Sequence, residues 1–131
     1  MNQLYIPIKS GTLLIPSGSV SQQDKKHLFI ICTDPNPVGE HLLVSISTLR
    51  NGCDQTCILQ AGEHDFINRE SFVDYSRPRI EGGNTLIKGV NDGLLISKPC
   101  ISEGPFERIC AGLLVSPHLP RKHLNFYNKY K

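Results

Sequence analysis

Three groups of residues have types and spacings that could do chemistry. The stretch VSISTLRNGCDQTCIL, Val44 to Leu59, carries hydroxyls at Ser45, Ser47, Thr48 and Thr56 and thiols at Cys53 and Cys57. In VDYSRPRI, Pro78 separates Arg77 from Arg79, just after Asp74. The pair Lys25-Lys26 and then His27 open an apolar run. A guanidinium grips phosphate bidentately, and an imidazole titrates near neutrality. Polar groups at strand ends can meet in one cleft even when far apart in sequence. These residue types together suit a phosphate-bearing ligand. The competing reading is that Arg77 and Arg79 pair with Glu63, Asp74 or Glu81 at the surface.

Metal chemistry is the next reading. Cys53 and Cys57 are four apart, and His64 lies seven further on. Zinc needs its ligands within about 2.3 Å of one ion, whereas residues four apart on a strand lie roughly 13 Å apart. Paired Cys-x-x-Cys half-sites are absent. The thiols are expected to pack rather than ligate, and no metal or other cofactor is expected. A cysteine-ligated structural zinc protein is the competing reading. A nucleophilic Cys53 is disfavoured because the adjacent Asp54 raises a thiol pKa. The five cysteines are odd in number and four sit beside apolar residues, which fits reduced, buried thiols.

Several function classes are excluded. No glycine loop has the phosphate-cradling spacing with its lysine, and no Gly-x-Ser-x-Gly elbow occurs. Glu63 and Asp65 flank His64 in a polar loop, with no hydrophobic flank to raise one carboxyl for glycosidase chemistry. The net charge of +2 is too mild to argue nucleic-acid binding by itself. Its distribution says more: residues 121–131 hold Arg121, Lys122, His123, Lys129 and Lys131 and no acid. A solvated chain end is the plain alternative. No apolar run approaches the roughly 20 residues that span a bilayer. The opening MNQLYIPIKSG lacks the basic flank and apolar block of a secretory leader. A cytoplasmic protein without membrane contact is expected.

Elements must position these groups. Thr12 to Ile15 reads as a strand, stopped by Pro16 and the Ser/Gly stretch SGSVSQQ, which should be a mobile loop. His27 to Thr33 reads as a buried strand and His41 to Thr48 as a strand with one apolar face. Asn51-Gly52 marks a tight turn, after which QTCILQ should return as the hairpin partner. AGEHDFINRE reads as a loop and Ser71 to Tyr75 as another strand. SRPRIEGGN is broken by Pro78, Gly82 and Gly83, and TLIKGV and GLLIS are weak strands or linkers. Then Phe106, Ile109, Cys110, Leu113 and Leu114 recur at helical spacing, with Pro105 near the first turn and Ser102 as cap. Ser116 and Pro117 open a second short helix. Strands first and helices last describe a mainly β fold: a small antiparallel barrel or curled sheet closed by a C-terminal helix, with short strands and proline-rich loops favouring the barrel. The chain of 131 residues is expected to be one domain, with the barrel at about 10–97 and the helical segment at about 102–129.

The order of these parts resembles the MazF/PemK/Kid family of toxin endoribonucleases, in outline over roughly residues 10–80 and the helical tail. LLIPSGSVSQQDKKHLFIIC follows the family's opening strand, Gly-Ser loop and basic pair, with His27 replacing a proline. VSISTLRNG supplies Ser47 and Thr48 at the family's Thr-Ser strand end. VDYSRPRI supplies Asp74 and Arg77, while Pro78 and Ile80 replace a serine and a second aspartate. The resemblance implies an SH3-like barrel and metal-independent cleavage of single-stranded RNA, in which the ribose 2′-hydroxyl attacks the adjacent phosphate. Arg77 would stabilise the developing charge and donate a proton. Thr48 and Ser47 would hydrogen-bond the phosphate. Arg79, His64 and Lys26 would supply acid, base or phosphate contact, and Lys25, Lys26, His27 and Asp74 would bind the RNA. It also implies a cognate antitoxin and a homodimer. A non-catalytic SH3-like module, gripping protein or nucleic acid through the same groove, is the alternative.

Overall fold

A computed structural model describes residues 4–18 and 25–131. Six strands form one sheet: β1 Thr12–Pro16, β2 Lys26–Ile31, β3 Glu40–Thr48, β4 Ile58–Leu59, β5 Ser71–Gly82 and β6 Ile96–Lys98. Their spatial order is β4-β5-β3-β2-β1-β6, and every pairing is antiparallel. The sheet curls but does not close, because β4 and β6 remain separate edges. The closed barrel expected from the strand count is therefore a half-barrel. Three helices complete the fold: α1 Gly83–Asn91, α2 Glu103–Leu113 and α3 Arg121–Tyr130. Among the described residues no helix is long and apolar enough to cross a membrane.

Alternation along the strands builds two cores. Leu28, Ile30, Leu42, Val44, Ile46 and Val73 point to one side and bury with Ile109 and Leu113 of α2 and Tyr127 of α3. Leu13, Ile15, Phe29, Ile31 and Leu43 point to the other side and bury with Leu86 of α1. Each such side chain contributes about 1.5–3 kcal/mol when fully buried. Burial on both faces explains why β2 reads as a continuous apolar run. The second face then changes chemistry. Leu43 is followed on that face by Ser45 and Ser47, which the single-faced reading of β3 took for its solvent side.

Three elements depart from the sequence reading. The Asn51-Gly52 turn forms, with Gly52 at φ +80°, a backbone that suits glycine. The chain does not return beside β3, however. Both flanks of β3 are taken by β2 and β5, and β4 pairs with β5 instead, so Val44–Leu59 is not a hairpin. TLIKGV is helical. Leu86 and Val90 lie one turn apart and pack onto the second core, and that packing outweighs the weak helix propensity of its glycines and β-branched residues. α3 begins at Arg121 after Pro120 rather than at Ser116. The Ser/Gly segment expected to be mobile falls mostly at 19–24, outside the described residues.

Candidate nucleic-acid interface

The uncovered part of the second face is a cleft of about 250 Å³. β2 and β3 contribute His27, Ser45 and Ser47 to it, β5 contributes Asp74, Arg77 and Arg79, and Arg50 closes one side. His27, Ser47 and Arg50 also border a larger groove of about 480 Å³, which adds Lys25, Lys26, Thr48 and Arg69. Six of the chain's fourteen Lys and Arg side chains thus line the two depressions, against the single carboxylate of Asp74 among the described residues.

A bulge in β5 delivers the arginines. Leu43 pairs with Arg79 and Ser45 with Asp74, so Val44 alone faces Tyr75, Ser76, Arg77 and Pro78. The extra residues leave the ladder, and Pro78 needs no donor there. This is why β5 runs on past Tyr75, where the sequence reading ended the strand, and through Pro78. Asp74 closes the bulge locally: its Oδ1 accepts from the Ser76 amide at 3.0 Å and the Ser76 hydroxyl at 2.5 Å. Among the described residues the ion pairs are Lys88–Asp92 and Arg108–Glu63. Neither Arg77 nor Arg79 makes one, so the surface pairing with Glu63, Asp74 or Glu81 is not what holds them. The Arg79 guanidinium lies 5.0 Å from the Phe29 ring centroid and the Arg50 guanidinium 4.9 Å from that of Phe72. Aromatic faces orient both cations without neutralising them.

His27 is the titratable group of the cleft best suited to moving protons. Partial burial, then the charge of Lys25, with Arg50 and Arg77 adding, hold its pKa below the ordinary 6.5, while Asp74 pulls the other way. The imidazole is therefore neutral at pH 7. Its Nδ1 lies 2.6 Å from Ser17 Oγ, and the Ser17 hydroxyl donates to the Ile15 carbonyl at 3.1 Å. With the hydroxyl proton on that carbonyl, Nδ1 carries the ring hydrogen and Nε2 keeps its lone pair; with the proton on Nδ1, the tautomer is reversed. The first arrangement leaves Nε2 able to act as a general base.

The predicted residues divide accordingly. Ser47, His27, Asp74, Arg77 and Arg79 share the cleft, and Lys25, Lys26 and Thr48 line the adjoining groove. Thr48 is exposed and, one step along the strand from Ser47, points to the other side. His64 joins neither. It is buried, its Nδ1 accepts from the Phe66 amide at 3.0 Å, and its Nε2 reaches the Pro99 carbonyl at 2.7 Å and Thr12 Oγ1 at 3.2 Å. It ties a loop to the sheet edge. His64→Ala is expected to cost roughly 2–4 kcal/mol of stability, from the cavity and the partners left unpaired. Chemical denaturation measures this; a catalytic His64 would instead leave stability unchanged. Arg50 was not singled out from the sequence. Its signal was a cation two residues after a hydroxyl-bearing strand end.

The thiols do not assemble with His64. Cys57 is buried in the larger core, Cys53 is half-buried, and all five cysteines are free. Among the described residues no three His, Cys, Asp or Glu side chains gather where they could hold a metal ion. Asp54 is occupied in fixing the turn, accepting from the Thr56 amide at 2.9 Å and the Ser116 hydroxyl at 2.6 Å. Set beside known proteins, the chain matches no protein-family model and no curated protein.

Proposed function

We propose that this protein is a metal-independent endoribonuclease of the toxin–antitoxin type that cleaves single-stranded RNA. The observation that carries the reading is the cleft, in which a neutral imidazole, a strand-end hydroxyl and three guanidiniums without an ion-pair partner among the described residues line one small space. The neutral His27 imidazole takes the proton of the ribose 2′-hydroxyl as that oxygen attacks the adjacent phosphorus. Arg77 and Arg79 stabilise the charge that develops on the phosphorane, and Ser47 hydrogen-bonds a phosphate oxygen. The leaving 5′-oxygen takes its proton from Arg77, the role the family resemblance gives that residue. The products are a 2′,3′-cyclic phosphate and a 5′-hydroxyl. The resemblance also supplies an SH3-like barrel ancestry for the half-barrel, a homodimer, and a cognate antitoxin that restrains the enzyme, and a cytoplasmic location is part of the same proposal.

A non-cutting RNA-binding module is the second reading. One observation favours it: Asp74, the only carboxylate lining the cleft among the described residues, is engaged by Ser76, so no second conventional acid–base group of those residues stands free beside His27. Incubating the protein with mixed-sequence RNA in chelator decides between the two. Fragments with cyclic-phosphate ends support the nuclease, and RNA retained uncut supports the module. If His27 is the base, kcat/KM falls as pH drops through a midpoint below 6.5, where His27 takes up a proton. A midpoint above 6.5 assigns the base elsewhere.

A further inference from the structure

Phe66 stands on the wall of the groove beside the cleft with 46% of its surface exposed. The loop that carries it is pinned on both sides. Its own amide is bonded to the buried His64, and the next residue, Ile67, is buried in the larger core. A pinned loop therefore holds a phenyl ring out in water. The Lys98 ammonium lies over one face of the ring, 4.4 Å from its centroid, and Arg69 lines the same groove. An aromatic ring with a cation on one face, in a groove continuous with a phosphate site, is a combination that stacks an unpaired base on its other face while neutralising its backbone. Because the loop is already ordered, little freedom is lost on binding.

We infer that Phe66 is a stacking platform for a nucleobase of single-stranded RNA, outside the phosphodiester held in the cleft. The inference rests on the RNA reading and deepens it. The substrate must be unpaired beyond the scissile bond and must extend past a dinucleotide to reach the ring. It also gives His64 a use: it fixes the loop that presents the platform.

The test is fluorescence anisotropy with a mixed-sequence hexanucleotide made uncleavable by 2′-deoxy sugars, with the corresponding dinucleotide measured alongside. Phe66→Ala should weaken hexanucleotide binding on the order of tenfold and leave dinucleotide binding unchanged. Phe66→Trp should bind as tightly as the wild type, and Phe66→Leu should lose as much as alanine, since it keeps apolar volume but no π face. Equal hexanucleotide affinity in the wild type and Phe66→Ala overturns the inference and leaves the RNA reading intact. So does full affinity in Phe66→Leu, or a loss shared equally by the dinucleotide. A wild-type protein with no affinity for the hexanucleotide overturns the RNA reading and the platform together.

Discussion

Replacing His27 by alanine should lower the cleavage rate of single-stranded RNA by roughly 10²–10⁴-fold, the usual worth of a positioned general base. His27 is partly exposed at the sheet end, so the fold should survive, and an unchanged circular dichroism spectrum and melting curve would check this. His27→Gln should not restore the rate, because an amide keeps a hydrogen bond but cannot accept the proton. The acid limb of the pH profile should vanish in both variants. Arg77→Ala should cost on the order of 10²–10³-fold through lost stabilisation of the phosphorane. Arg77→Lys should recover only part of it, since an ammonium lacks the bidentate fork. Rates unaffected by His27→Ala would return the base to an unassigned group.

Gly112→Ala should destabilise the fold by roughly 2 kcal/mol, although alanine is the better helix former by about 1 kcal/mol. The reason lies in how α2 meets the sheet. A Cβ at residue 112 would overlap Tyr75 Oη and lie 2.7 Å from Tyr75 Cζ. Tyr75 is fully buried and donates its hydroxyl to the Ile109 carbonyl at 2.7 Å. The ring cannot retreat without giving up that bond, worth about 1 kcal/mol, and overpacking adds roughly 1–3 kcal/mol. The two costs exceed the propensity gain. Tyr75→Phe removes the overlapping oxygen, so the double variant should be more stable than the sum of the single losses predicts. Denaturant melts of the four proteins measure the coupling, and strict additivity would mean that the glycine is not a packing requirement.

Both predictions depend on features of unequal legibility in the sequence. β3 was readable from its alternation, a period of two set by the backbone alone, and β1 and β2 from short apolar runs bounded by proline and Ser/Gly breakers. The helical spacing from Phe106 to Leu114 was readable for the same kind of reason, with Pro105 marking the entry. α1 was not, because Gly83, Gly89 and Val90 argue against a helix until Leu86 finds the second core. β5 was cut short at Tyr75, ahead of Pro78, because a bulge depends on the register of its partner strand, and one sequence does not disclose register. The same limit produced the false hairpin: Asn51-Gly52 announces a turn but not which strand comes next. Arg77, Arg79, Ser47 and His27 could be chosen by chemical type. Arg50 owes its place to tertiary position, which type does not encode. His64 misled for the converse reason, since a titratable ring in a polar stretch reveals nothing of its burial.

A single phosphate site shared by His27, Ser47, Arg77 and Arg79 is tested most directly by an NMR titration with an uncleavable single strand. The shifts should concentrate on those residues and Arg50, with the His27 ring responding most. Shifts confined to Arg121, Lys122 and Lys129 on α3, with His27 and Arg77 unmoved, would contradict the site and leave the basic C-terminal helix as the nucleic-acid surface.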